Sequence, residues 1–316
     1  MYNESFDKLN YSDIFKKYPW IFENNMKVII SPDVDGILSG LFMSNYFNWL
    51  IVGYYDGKQL ALKKEINFND CIFLDMEIFR KNVKSCGHHL VLYNKNKIPK
   101  NWDNFSNCIN PNMLRNYDAN QNFKYKYPFA MIHFLLSVIS YKKNISISDS
   151  AISPLLYVDG TFKNLLNYPE NCISWLEFLN AKNASSPINS IYCIFARRRI
   201  SNIIHDLERI FENFKIIGGN KRKSDKIDIS LIKTSTKEFP SEYIQQINKL
   251  ITFLSENTRW EFDKEKWTFK ELEIIKFEKQ INQKLNNKIY NNIIDQQPLS
   301  LAITATKRIE YTIIKS

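Results

Sequence analysis

Residues 26–49 read MKVIISPDVDGILSGLFMSNYFNW. The apolar run Met26–Ser31 predicts a buried strand. From Gly36 onward, Leu38, Leu41, Phe42, Asn45 and Trp49 share one face of a predicted helix. Asp33 and Asp35 lie between the two elements, one residue apart, where the strand ends. Sites in parallel α/β sheets form at the carboxyl ends of strands, so this pair reads as half of a metal site. It also reads as a capped turn, since Asp and Gly favour strand–helix junctions. The choice depends on what the rest of the chain brings to the same edge.

Upstream, residues 1–25 carry spaced apolar positions that predict one or two short helices broken at Pro19. Downstream, Leu50–Tyr55 is a second predicted strand followed by an Asp56-Gly57 turn, and Cys71–Met76 is a third with Asp75 at its end. His89–Tyr93 is expected to form a fourth. Asn110-Pro111-Asn112 breaks the chain, Pro128–Ser140 predicts a helix, Leu155–Tyr157 leads into Val158-Asp159-Gly160, and Leu165–Leu179 is helical. Strands alternating with helices predict an α/β domain over residues 1–186, a parallel sheet with helices on both faces. Residues 187–215 are expected to be one connecting helix, ended by Gly218-Gly219. Residues 216–316 are expected to form a smaller α+β domain. Its elements would be a strand at Ile227–Ile232, helices at Ser241–Ser255 and Trp267–Ile294, and strands at Leu299–Thr304 and Arg308–Ile314.

The 316 residues are 44% hydrophobic, which excludes a disordered chain and is enough for two cores. The net charge of +10 admits a polyanionic partner. Abundant Asn, Lys and Ile suggest that a coding bias contributes to that charge. Five cysteines, an odd number without a CxxC pair, read as free thiols of a reducing compartment. The N-terminal MYNESFDKLNYSD lacks the basic and apolar regions of a signal peptide, and the apolar runs are too short to span a bilayer. A cytoplasmic protein with no membrane partner is expected, and an oligomer is left open.

Four acidic or histidine features fall at expected strand ends: Asp33 with Asp35, Asp75, His88 with His89, and Asp159. Carboxylates suit Mn²⁺ or Mg²⁺, and manganese also accepts imidazole. Two such ions polarise a phosphoryl oxygen and clamp the attacking and leaving oxygens. Each feature has a plainer reading. Asp75 is a strand-end Asp, and Asp159-Gly160 is an ordinary turn as readily as a ligand. His133 reads as a core histidine, His205 as a surface one, and Cys86 as a packed thiol with no zinc tetrad around it. Arg197, Arg198 and Arg199, with Lys221, Arg222 and Lys223, are either a solvated face or the lining of a cleft that tracks a phosphate backbone. Arg308 is a further phosphate-binding candidate.

Taken in order, SPDVDGILSG, FLDME, GHHL, INPN and VDGT resemble the successive motifs of the DHH phosphoesterase superfamily over roughly the first half of the chain. That superfamily includes RecJ-type exonucleases, nano-RNases, cyclic-dinucleotide phosphodiesterases and family II pyrophosphatases. The resemblance implies that Asp33 binds one metal ion and Asp35 the other, with Asp75 bridging both. It implies that His88 and Asp159 complete the second site and that His89 touches the scissile phosphate or a metal, so that Asp75 and His89 are catalytic. Gly87 stands where the family has an Asp that supports a histidine, and the GGGH-like loop of the family's second domain is missing. The function expected from the resemblance is two-metal hydrolysis of single-stranded DNA or RNA, or of short oligonucleotides. The alternatives are a catalytically degenerate binding or scaffold protein and a phosphodiesterase of small or cyclic nucleotides.

Overall fold

The computed structural model describes residues 7–219 and 224–314. The chain enters through helix α1 (Tyr11–Lys17), capped by the Asn10 side chain, and Pro19 starts a single 3-10 turn. Strand β1 (Lys27–Ile30) follows, then α2 (Val34–Phe47). Asp33 caps α2, its carboxylate accepting from the Gly36 amide at 3.1 Å. A Cβ on Gly36 would collide with the Ser31 carbonyl, so this junction requires glycine. β2 (Leu50–Tyr55) turns at Asp56-Gly57 into β3 (Gln59–Lys63), and β4 (Ile72–Leu74), β5 (Lys84–Cys86) and β6 (Cys108–Ile109) complete the first set of strands.

The middle of the chain is helical, with α3 (Pro111–Leu114), α4 (Ala119–Asn122), α5 (Met131–Ser140), α6 (Ile152–Tyr157), α7 (Thr161–Asn167) and α8 (Pro169–Phe178). Next come α9 (Asn189–Tyr192), α10 (Ile194–Arg197), α11 (Ile200–Ile217) and α12 (Ser241–Thr258). The chain closes with β7 (Leu272–Lys276), β8 (Glu278–Asn282), α13 (Asn287–Asp295), β9 (Ser300–Ala305) and β10 (Arg308–Ile313).

Among the described residues, seven strands form one sheet in the order β6-β5-β4-β1-β2-β3-β7, and β8-β10-β9 form a small antiparallel sheet. The run from β6 to β2 is parallel, while β3 and β7 are antiparallel additions at one edge. The protein is therefore α/β, with a mostly parallel sheet and a second, antiparallel one. From β1 the chain steps to β2 on one side and later to β4 on the other. The gap between β1 and β4 is thus a topological switch point, the place where such sheets open a crevice beyond their carboxyl ends.

Alternation along the strands divides the core. Val28, Ile30, Ile51, Ile72 and Leu74 face a large cluster completed by residues of α2, α5, α11 and α12. Ile29, Val52, Phe73 and Leu62 face the other way, against Ile78, Val83, Phe277 and Leu299. Those covering residues come from connecting segments and the carboxyl-terminal region. Helices therefore cover one face of the sheet, and the helical cover expected on the second face is replaced by these segments. The large cluster runs continuously from Leu9 to Leu272.

Several expected elements differ. The fourth parallel strand is Lys84–Cys86, not His89–Tyr93. Ser85 is fully buried inside it and hides its apolar character, while Leu90 and Val91 enter a separate cluster with Tyr290 and Ile303. The single helix expected over 187–215 is three helices, because Cys193 and the extended Arg198-Arg199 backbone interrupt it. Gly218-Gly219 does end it, with Gly219 at φ 69°. Ile227–Ile232 is not a strand but holds a 3-10 turn capped by Asp228. The helix expected at Trp267–Ile294 is replaced by β7, β8 and the shorter α13, because pairing with β3 and β10 overrides the helix propensity of Glu, Lys and Gln. Asp159 follows helix α6 rather than a strand.

Candidate metal centre

The switch point fills with acid and imidazole. Asp33 and Asp35 arrive from the β1–α2 junction, and Asp75 from the residue after β4. His88 and His89 follow β5, and Asp159 sits in the kink between α6 and α7. Asp75 (φ 61°) and Asp159 (φ 50°) both adopt the left-handed backbone, which Asp tolerates better than most residues and which aims each carboxylate inward.

His88 is the hub, only 4% exposed. Its Nδ1 lies 3.4 Å from Asp75 Oδ1 and 3.8 Å from Asp35 Oδ2, and its Nε2 lies 2.9 Å from Asp159 Oδ2. His89 Nε2 reaches within 4.0 Å of Asp75 Oδ1, with the two imidazole centroids 3.9 Å apart. Two sets of ligand-type atoms therefore converge, Asp75 with His88 and His89, and Asp35 with His88 and Asp159. Asp33 stands in neither set. It connects through Ser31, whose hydroxyl lies 2.8 Å from Asp33 Oδ1 and 2.6 Å from Asp75 Oδ2.

The surrounding chain holds these groups in place. Asp35 accepts from the Met131 and Ile132 amides, so a carboxylate on α2 caps the otherwise uncapped start of α5. The Asn112 amide donates to the His88 carbonyl at 3.0 Å. Glu77, 3% exposed, accepts at one oxygen from the His89 amide (2.7 Å), the Leu90 amide (2.8 Å) and the Asn110 side chain (2.8 Å). This carboxylate fills the space beside Gly87. Ile303 of β9 donates its amide to the His89 carbonyl, and its own carbonyl accepts from the Lys126 ammonium, both at 3.2 Å. The small sheet is thereby docked on the histidine loop.

The electrostatics reflect crowding of like charge in a dry place. Burial, then the neighbouring carboxylates, pushes Asp35 and Asp75 well above the ordinary carboxylate value. Burial opposes ionisation of Asp159 as well, but its hydrogen bond with His88 wins and holds it down at about 2. The same bond lifts His88 above its ordinary value against the effect of burial. Burial lowers Lys126 to about 8, with Glu77 and Asp159 pulling it back up.

The orphaned atoms test whether a cation fits. Asp75 Oδ1 and His88 Nδ1 are both buried without a hydrogen-bond partner, although they face each other at 3.4 Å. Buried polar atoms are normally paired. An oxygen and a nitrogen left open toward one point, with more carboxylate and imidazole around it, are a donor set suited to a borderline or hard divalent ion.

The proposed substrate-binding residues lie elsewhere. Arg197 donates to Asn189 at 2.6 Å, and Arg198 pairs with Asp206 at 2.9 Å and donates to the Asp149 carbonyl. Arg199 precedes α11 and is exposed at the start of that helix. Arg198 lines a separate surface cavity with Asn202, His205 and Asp206. Arg308 pairs with Glu310 on β10. Lys221 and Arg222 lie outside the described residues. Sequence reading missed Ser31, Glu77, Asn112 and Lys126. Of these, Ser31, Glu77 and Asn112 stand inside the stretches SPDVDGILSG, FLDME and INPN without being singled out there.

No protein-family description, curated protein or solved structure matches this chain. No helix among the described residues is long and apolar enough to cross a membrane.

Proposed function

We propose that this chain is a divalent-metal-dependent phosphodiesterase of the kind the DHH phosphoesterases perform, acting on short oligonucleotides or small nucleotides. The observation that carries the reading is the facing pair of buried, unpartnered atoms, Asp75 Oδ1 and His88 Nδ1, inside a ring of further ligands at the switch point. Asp75, His88 and His89 would hold one ion and Asp35 with Asp159 a second, His88 serving one of the two because a neutral imidazole has a single lone pair to give. Bound Mn²⁺ or Mg²⁺ would supply Lewis acidity toward the phosphoryl group and lower the pKa of water.

The chain's own groups do the rest. Ser31 holds Asp75 from behind, and Glu77 with Asn112 fixes the loop that presents both imidazoles. Lys126 adds positive charge beside Glu77 and Asp159, where an anionic substrate would sit. Asp35 and Asp75, which burial and crowding favour in their protonated forms, give up those protons when a cation takes their place. Short substrates are favoured over long single strands because Arg197 and Arg198 are engaged away from the centre. All five cysteines are free, which supports a reducing, cytoplasmic setting.

The test is Mn²⁺ titration by calorimetry, with hydrolysis assays on dinucleotides, single-stranded DNA and RNA. Stoichiometric binding that Asp75→Asn removes, together with cleavage of short substrates, is expected. Absence of Mn²⁺ binding and of any cleavage would overturn the reading and favour a non-catalytic protein on the same fold.

A further inference from the structure

Lys126 stands at the edge of the centre, on the short stretch between the 3-10 turn Phe123–Tyr125 and α5. We propose that its ammonium group engages a phosphoryl oxygen of the bound ester, which makes Lys126 a catalytic residue alongside the metal ligands. The proposal rests on the phosphodiesterase reading and adds to it a side chain that touches the substrate.

Placement comes first. The backbone is fastened on both sides of the residue. The Lys126 carbonyl accepts from the Asn171 side chain at 2.9 Å, and the next amide, that of Tyr127, donates to Asn112 Oδ1 at 2.8 Å. Asn112 also donates to the His88 carbonyl at 3.0 Å, so one buried side chain sets Lys126 and His88 relative to each other. The far end of the lysine is fixed as well. Its Nζ donates to the Ile303 carbonyl at 3.2 Å, and the Ile303 amide holds the His89 carbonyl at the same distance. The ammonium is thus carried to the loop that presents both imidazoles. Its charge disfavours protons on His88, His89 and Asp159 alike.

The bonding of this group leaves capacity for a ligand. An ammonium has three N–H donors, and the Ile303 carbonyl uses one. Among the described residues no carboxylate pairs with it. Glu77 and Asp159 attract it from further off, and Glu77 Oε1 is already shared by three other donors. The neighbouring cations differ. Lys279, which also acts on His89, is bound to Glu310 at 2.8 Å, and Arg308 shares that acid. Charged groups drawn out of water are normally paired. Burial lowers Lys126 to about 8, yet part of the side chain stays accessible, so an anion can reach it. A phosphate held at the carboxylate and imidazole groups would meet this compact charge from the side of β9, and hydrogen bonds between ionised partners are the strong ones.

The experiment reads the reactivity of Lys126 in the full, unmutated chain. Acetic anhydride acetylates free amines, and mass spectrometry locates the modified lysines. With Mn²⁺ present, inorganic phosphate is expected to protect Lys126 while the exposed Lys215 reacts as before. Equal labelling with and without phosphate overturns the proposal, and so does a Lys126 that never labels, since its amine is then closed to ligands. A second measurement uses calorimetry with Mn²⁺ and inorganic phosphate. Lys126→Met is expected to weaken phosphate about ten- to a hundredfold, the worth of a hydrogen bond to a charged group, without weakening Mn²⁺. Lys126→Arg should recover part of the loss. Phosphate affinity unchanged by Lys126→Met overturns the proposal even if Mn²⁺ binds and phosphodiesters are cleaved. If Lys126→Met does not fold, the labelling decides. If Mn²⁺ does not bind, the metal reading fails separately, and labelling of the metal-free protein decides: protection of Lys126 by phosphate supports the proposal and its absence overturns it.

Discussion

A Cβ on Gly87 would stand 2.6 Å from Oε1 of Glu77 and 2.8 Å from Oε2. The two residues share one space: position 87 is bare because a carboxylate from position 77 already fills it. That carboxylate collects three donors from the histidine loop and its neighbour Asn110. Position 87, which has no side chain of its own, is therefore filled by a buried acid reached from another strand end.

Adding the smallest side chain at 87 should displace Glu77 and strand those donors. Gly87→Ala is expected to cost about 2–4 kcal/mol of stability, the sum of overpacking and lost buried hydrogen bonds. Urea unfolding would measure it. Glu77→Ala should cost a similar amount and also weaken Mn²⁺ binding. The double variant Glu77→Ala with Gly87→Asp should recover part of that affinity. A Gly87→Ala protein as stable as the parent would contradict the shared space.

Asp75 offers a cleaner probe of the centre, because Asn tolerates its left-handed backbone. Asp75→Asn should leave the fold intact. It should abolish the stabilisation that saturating Mn²⁺ confers on the parent, about 2.7 kcal/mol at a hundredfold excess over Kd. Thermal melts with and without the ion read this directly. An unchanged melting shift would remove Asp75 from the ligand set.

Protons and metal ions should compete. Asp35 and Asp75 are held above ordinary carboxylate values by burial first and by neighbouring carboxylates second, so they keep protons where exposed acids have lost them. An incoming cation must displace those protons, so affinity rises with pH. Over about pH 5 to 8, calorimetry in buffers of different ionisation heat should count protons released on binding. A pH-independent affinity with no proton release would be the contrary result.

A separate pH effect should come from His133. It is fully buried on α5, and burial lowers it from 6.5 to about 4, with the Leu155 and Ala130 backbone and Asp159 pulling it back up in part. The folded state thus binds this proton less readily than the unfolded state does. The stability it permits is complete above pH 6.5 and drains away as pH falls toward 4. At pH 5 the loss is about 2 kcal/mol. His133→Leu should flatten that part of the stability profile, and a profile unchanged by the substitution would show that another group is responsible.

The clustered acids were legible because each stands at a visible boundary. Asp33 and Asp35 follow an apolar run, Asp75 follows another, and Asp159 precedes a glycine. The structure brings Asp35, Asp75, Asp159 and both histidines together. The capping reading of this pair holds: Asp33 caps α2, and Asp35 caps α5. The roles of Glu77 and Ser31 were not legible, although both residues stand inside the quoted stretches. Their roles depend on which backbone approaches them, and that is decided by tertiary packing. The same applies to β3 and β7. Each has only five residues and includes lysine, and the two pair with each other from positions far apart in the chain, Lys63 with Leu272 among them.

That last pairing has a consequence for biosynthesis. All the proposed ligands are translated before β7 exists, yet β7 covers β3 and becomes the edge strand in its place, and Ile303 latches the His89 carbonyl. A nascent chain on the ribosome therefore carries a finished set of ligand residues beside an unpaired β3 edge and an unfastened histidine loop. Such edges recruit other strands. Maturation of the centre is accordingly a late event, and a prematurely released chain would be a sticky, edge-exposed intermediate and a natural client for a chaperone.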